Sequence, residues 1–213
     1  MQHRITSLTL QKRNRQRVNV FLDGEYAFSL AHIVAAWLQV GQEISDEKIA
    51  QLQAEDQRET AYQQAVRFLG FRPRSVAEVQ TNLRKHNISE DIIQATIQRL
   101  EEQGLLDDAS FAQLWVENRS AMRPRSRRTL SYELRQHGVD PQTIDHSLDG
   151  LNDEQLAFQA ARKRARRLEQ LEWQDFRQKM YQYLLQRGFD YTITSQVTAQ
   201  VWADLRKEEE GIE

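Results

Sequence analysis

The tetrapeptide Arg72-Pro73-Arg74-Ser75 recurs unchanged at Arg123-Pro124-Arg125-Ser126. Eight residues beyond each serine stands a leucine, Leu83 or Leu134, followed by Lys85-His86-Asn87-Ile88 or Gln136-His137-Gly138-Val139. A third copy keeps only the later half, Leu184 and then Gln186-Arg187-Gly188-Phe189. Downstream, Ile93 and Ile97 match Ile144 and Leu148, then Ile193 and Val197. A period of about fifty residues held over three copies points to tandem small units rather than one irregular globule.

Each copy reads as three helices. The first is apolar at Tyr62, Val66 and Leu69, at Phe111, Leu114 and Trp115, and at Leu156, Ala161, Ala165 and Leu168. The second follows the serine in copies one and two, where Ser75 with Glu78 has the spacing of a capping box. It ends at Asn87, Gly138 or Gly188, residue types that tolerate the left-handed C′ conformation, with Ile88, Val139 or Phe189 as the apolar residue beyond. Ser89, Asp140 or Asp190 then stands as N-cap of the third helix, with Pro141 at its first position in copy two. Helices this short are marginal alone, so each must bury its stripe against its two companions. Leu134 belongs to such a stripe; if buried, Leu134→Ala should cost about 2–5 kcal/mol.

The first sixty residues differ. Val18, Val20 and Leu22 alternate with Asn19 and Phe21, and Asp23-Gly24 separates them from Tyr26, Phe28 and Leu30. Asp-Gly between apolar runs signals a hairpin, because a type I′ turn needs positive φ at both central positions. Residues 5–30 are therefore read as an antiparallel meander, helical from Ala31, with a second helix starting near Ser45 and running through Ile49 and Leu52. The expected fold is mainly α: three tandem three-helix repeats in an elongated curved rod, behind a small N-terminal β-meander. The expected divisions are residues 1–57, 58–107, 108–152 and 153–206, with an acidic tail at 207–213.

Composition narrows the chemistry. The chain has no cysteine, which excludes disulfides, thiolate metal sites and a Cys nucleophile. No apolar run has membrane-spanning length and no secretory segment opens the chain, so the cytoplasm is the expected address. No phosphate-cradling glycine loop or nucleophile elbow occurs, and His3, His32 and His146 are scattered. Catalysis, a metal and a cofactor are not expected. His86 and His137 are read as capping or packing residues at equivalent places, and most of the four tryptophans as core.

The net charge of −2 hides local excess. Lys12, Arg13, Arg15 and Arg17 crowd the first turn. Arg72 and Arg74, then Arg123 and Arg125, flank the recurring prolines just before a helix N-terminus, a place that favours anions. Arg127 and Arg128 extend the second patch, and Arg162, Lys163, Arg166 and Arg167 form a third. Each is a candidate contact to a polyanion or to a partner protein, against the alternative of a solvated surface.

Several stretches carry a resemblance: Arg74-Ser75-Val76-Ala77-Glu78-Val79, Gly104-Leu105-Leu106-Asp107-Asp108 with Phe111-Ala112, Glu133-Leu134-Arg135-Gln136-His137-Gly138-Val139, and Leu184-Leu185-Gln186-Arg187-Gly188-Phe189. With Gln11-Lys12-Arg13-Asn14 and Val20-Phe21-Leu22-Asp23-Gly24-Glu25-Tyr26-Ala27-Phe28, they resemble the RecX regulatory proteins of bacteria, modulators of the RecA recombinase, over about residues 4–206. Two departures stand out: Asn87 where glycine is usual, and Trp173-Gln174-Asp175-Phe176 in place of a third Arg-Pro-Arg-Ser loop. The resemblance implies a non-enzymatic monomer that lies in the groove of the RecA–single-stranded DNA filament, with single- and double-stranded DNA as further partners. It would there restrain strand exchange, ATP turnover and coprotease action. The recurring helix–turn–helix joints keep a second reading open, a sequence-specific DNA-binding regulator, and a third, an interaction scaffold.

Overall fold

The structure, a computed structural model, describes residues 1–210. It divides into two compact units, residues 1–74 with 78–106, and residues 75–77 with 107 onward.

In the first unit, β1 (Gln2–Leu10), β2 (Arg17–Leu22) and β3 (Glu25–Ala31) form the expected antiparallel meander. Asp23 and Gly24 both adopt positive φ, 51° and 93°, as the hairpin requires. Strand alternation buries Val18, Val20 and Leu22 together with Ile5, Leu30, Ile44 and Leu52. A short fourth strand, β4 (Glu43–Ser45), extends the sheet beside β1, giving the order β3-β2-β1-β4. Three residues are too few for a period-two signal, so it does not announce itself in the sequence. The helix expected from Ala31 is a single turn, α1 (His32–Ala35).

Helix α2 (Asp46–Leu69) starts where expected, with the Ser45 hydroxyl accepting from the Lys48 N–H at 3.2 Å. It then runs unbroken past residue 57. Leu52 near its start is buried in the sheet core, and α2 packs on α4 (Glu90–Glu102). Its buried residues toward the C-terminal end are Ala61 and Ala65, not the larger Tyr62, Val66 and Leu69. Val66 is 38% exposed, because alanine lets two helix axes approach and the bulky neighbours are turned aside. With α3 (Val76–Lys85), this bundle buries Val79, Leu83, Ile93, Ile97 and Leu100.

The second unit holds two more bundles. Helices α5 (Asp108–Met122), α6 (Arg127–Gln136) and α7 (Pro141–Ser147) enclose Phe111, Val116, Leu130, Leu134, Val139 and Ile144. Leu114, expected on the buried stripe, is 44% exposed, and Ala112 takes the inward position. Helices α8 (Asp153–Ala165), α9 (Trp173–Leu185) and α10 (Tyr191–Glu210) enclose Leu156, Phe176, Met180, Leu184, Phe189 and Val197. Residues 207–210 of the expected acidic tail continue α10, and residues 211–213 lie outside the described residues.

The three middle helices end alike. Asn87, Gly138 and Gly188 have φ of 58°, 77° and 84°. The next residue's N–H reaches back to Leu83, Leu134 or Leu184, at 3.3, 3.2 and 3.4 Å. Asp140 and Asp190 cap the following helices through Oδ1, and Pro141 takes the first position of α7. Ser89 has the extended backbone of a cap but makes no capping side-chain hydrogen bond.

Candidate nucleic-acid and partner interface

The recurring serines serve the joints between repeats. Within the second unit, the Ser75 hydroxyl donates to the carbonyl of His137 at 2.5 Å. One repeat on, the Ser126 N–H and the Thr129 hydroxyl donate to the carbonyl of Arg187, at 3.1 and 3.2 Å. Each accepting carbonyl precedes the left-handed glycine. A Cβ on Gly138 would collide with Ala77, and one on Gly188 with Thr129 and Ser126. The N–H after each serine is also claimed: Val76 donates to Asp108 at 2.9 Å, and Arg127 to Asp153 at 2.7 Å.

This pairing accounts for both departures seen in the sequence. No Arg-Pro-Arg-Ser loop precedes the first copy, so its turn receives no serine and exposed Asn87 is tolerated. The third copy has no successor in the chain to dock on, and it lacks the loop. The joint also corrects the reading of these helix N-termini as open anion sites, since aspartates of the chain already occupy those N–H groups.

Several predicted site residues are held by internal partners. Arg17 pairs with Asp56 at 2.9 Å and bonds to Ser29. Arg72 meets both carboxylate oxygens of Glu78, the residue read as the acidic arm of a capping box. Arg74 lies over the Phe68 ring at 4.0 Å, also beside Glu78 at 3.6 Å. Glu133, the single acid of its segment, accepts from Arg125, from Arg119 at 3.0 Å and from the Trp115 indole at 2.8 Å. Arg127 donates to the Leu151 carbonyl at 3.2 Å, and Lys163 to the Ala121 carbonyl at 2.6 Å, satisfying an orphan at the end of α5. Lys12, Arg13, Arg15, Arg123, Arg128, Arg162, Arg166 and Arg167 are exposed.

Two arginines outside the predicted set join the second patch. The Arg187 guanidinium lies 3.7 Å over the ring of Tyr183, and that of Arg164 lies 5.5 Å over the same ring. Nε of each is buried without a hydrogen-bond partner. Burial, backed by the like charges of Arg125, Arg123 and Arg164, holds the Arg187 guanidinium below its usual pKa, with Tyr183 acting in the opposite sense. Arg187 stands in the third copy's turn, where repeat reading assigns a packing role, and Arg164 faces inward from a charge run. Only the fold brings them to Arg123 and Arg125.

The histidines and tryptophans take structural places. His137 packs on Trp115 and Phe111, with ring centroids 4.3 and 5.4 Å away, and His86 Nδ1 bonds the Asn82 carbonyl at 2.8 Å. His3 sits between Asp23 and Asp46, at 2.8 and 3.1 Å, and its bond to Asp23 is the main cause raising its pKa. The tryptophans are less buried than expected. Trp37 is 88% and Trp173 37% exposed, while Trp115 and Trp202 are half-buried, since a large ring with an N–H to satisfy settles at a rim. Among the described residues no group of His, Asp or Glu could hold a metal ion, and no helix is long and apolar enough to cross a membrane. In the groove between α5 and α7, the Ser110 and Ser147 hydroxyls bond to Asp107 and to the Ile144 carbonyl.

A small sheet followed by three-helix bundles, interlocked serine-to-turn and carrying outward arginines, defines a helical repeat protein. The family model for the regulatory protein RecX N-terminal domain matches residues 3–45. Those for the first, second and third RecX three-helix domains match residues 61–100, 107–148 and 152–198. The chain belongs to the RecX family of regulatory proteins. The regulatory protein RecX of Halalkalibacterium halodurans is 33% identical over 97% of this chain and 80% of its own length. That of Lactobacillus gasseri is 32% identical over 97% and 77%, and that of Bacillus subtilis 30% over 92% and 76%. A crystal structure of a regulatory protein RecX matches with a TM-score of 0.69 at 26% identity, covering 92% of this chain and 99% of that one. The crystal structure of RecX from Lactobacillus salivarius shares the fold, with a TM-score of 0.59 at 24% identity over 69% of this chain.

Proposed function

We propose that this chain regulates the RecA recombinase by binding in the groove of the RecA–single-stranded DNA filament, restraining strand exchange, ATP hydrolysis and coprotease action. It does so without catalysis, by occupancy, as a cytoplasmic monomer. The observation that carries this reading is the match of four successive RecX segments along the chain, on repeats that leave arginines exposed. Contacts are assigned to the first turn (Lys12, Arg13, Arg15), to the second-repeat patch (Arg123, Arg128) and to the α8 end (Arg162, Arg166, Arg167). Arg17, Arg72, Arg74, Arg125, Arg127 and Lys163 support those surfaces through the internal bonds described above.

The rival reading, a sequence-specific duplex reader, finds poor support in α4. Its single basic residue, Arg99, pairs with Glu59 at 2.9 Å and lies 3.6 Å over the Tyr62 ring. The test is RecA-driven joint-molecule formation and ATP hydrolysis with added protein. Both should fall as the protein saturates the filament; unchanged rates at saturation would refute the proposal.

A further inference from the structure

We infer that Arg123, Arg125, Arg164 and Arg187, gathered beside Tyr183 where the Arg-Pro-Arg-Ser loop of the second repeat docks on the turn of the third, form a binding site for phosphate groups of a nucleic-acid strand. The inference rests on the reading that the protein works on a DNA-bearing filament, and it names the groups that would touch that DNA.

The geometry is specific. Two guanidiniums share one aromatic ring, at 3.7 and 5.5 Å, so both are oriented side chains rather than free tethers. Their Nε atoms are enclosed and lack an acceptor, an arrangement a folded chain rarely leaves without reason. The joint bonds from Ser126 and Thr129 to the Arg187 carbonyl fix the loop that carries Arg125 against the turn that carries Arg187. Charge is left over: Glu133 answers Arg125 but is shared with Arg119 and the Trp115 indole. Arg123 has no ion pair among the described residues. Like charges brought together and partly desolvated destabilise the free protein, and an anion rich in acceptor oxygens relieves them. Guanidinium forks match phosphate oxygens, and a strand supplies one negative charge after another where an isolated carboxylate supplies one.

Binding of a fluorescent oligothymidylate, without RecA, is followed by anisotropy across a salt series. The variant Arg123→Gln with Arg164→Gln should lose about tenfold in affinity at low salt, and its log–log salt slope should shrink by up to about two. Arg164→Lys alone, which keeps the charge and loses the fork, should restore most of the slope but not the affinity. Inorganic phosphate at constant ionic strength should raise the melting temperature of the wild type and not of the double variant. That comparison also reports whether the variant is folded. Unaltered affinity and slope in the folded double variant would overturn the site. Displacement of the oligonucleotide by ATP at equal phosphate concentration would assign the cluster to free nucleotides and overturn the strand. Displacement by polyglutamate at equal charge would assign it to an acidic protein surface, with the same consequence. Oligonucleotide binding through this cluster by a protein that leaves RecA unaffected would sink the RecA reading alone.

Discussion

A methyl group at position 188 has no room. Gly188 has φ 84° and its missing Cβ would land on Thr129 and Ser126, so strain and collision add. Gly188→Ala should cost about 2–4 kcal/mol, measured by denaturant unfolding, with Gly138→Ala close behind because its methyl meets Ala77. Asn87 occupies the same kind of turn with φ 58°, but its side chain is exposed. Asn87→Ala should cost about 1 kcal/mol or less. Equal losses at positions 87 and 188 would mean that the turn alone, and not the docking of a serine loop, demands glycine. The left-handed conformation at all three positions was legible in the residue types. The collision partner was not, because it lies about sixty residues away in the chain.

At the level of helices, the repeat signal located the caps better than the buried faces. Leu83, Leu134 and Leu184 each fill the core and lend a carbonyl to the turn that follows, and all three have no exposed surface. Leu134→Ala should therefore cost about 2–5 kcal/mol in equilibrium unfolding, toward the upper end if Phe111, Leu130 and Ile144 cannot close the cavity. A loss under about 1 kcal/mol would mean that this bundle adds little to stability. The first helices were misjudged where alanine and not a large residue faces inward, at Ala61, Ala65 and Ala112. Hydrophobic size favours Tyr62, Val66 and Leu114; close helix approach favours the methyl. Helix α2 serves the sheet core at Leu52 and the bundle at Ala65, so a composition boundary near residue 57 marks no break in the backbone.

For the chain as a whole, a net charge of −2 and a polyanionic target are compatible because the arginines are sorted by partner. Those beside Glu78, Glu133 and Asp56 are neutralised internally, while Lys12, Arg13, Arg15, Arg123 and Arg128 stay exposed. Co-sedimentation with RecA filaments on single-stranded DNA should weaken steeply with salt, with a slope of about −0.7 per strand phosphate contacted. A flat salt response would favour a scaffold held by apolar contacts. Lys12→Ser with Arg13→Ser should lower that slope without moving the melting temperature, since neither side chain has an ion pair among the described residues.

The periodic apolar residues, the Asp23-Gly24 hairpin, the helix stops at Asn87, Gly138 and Gly188, and the absence of metal-binding or nucleophilic motifs are local properties, so the sequence alone determined them. Four other features depended on the tertiary structure: which face of each first helix is inward, the strand at Glu43–Ser45, the aspartates that fill the helix N-termini, and the meeting of Arg123 and Arg125 with Arg164 and Arg187. Each pairs residues distant in the chain. Such pairings are set by how packed helices bring loops together, a geometry that no short-range pattern encodes.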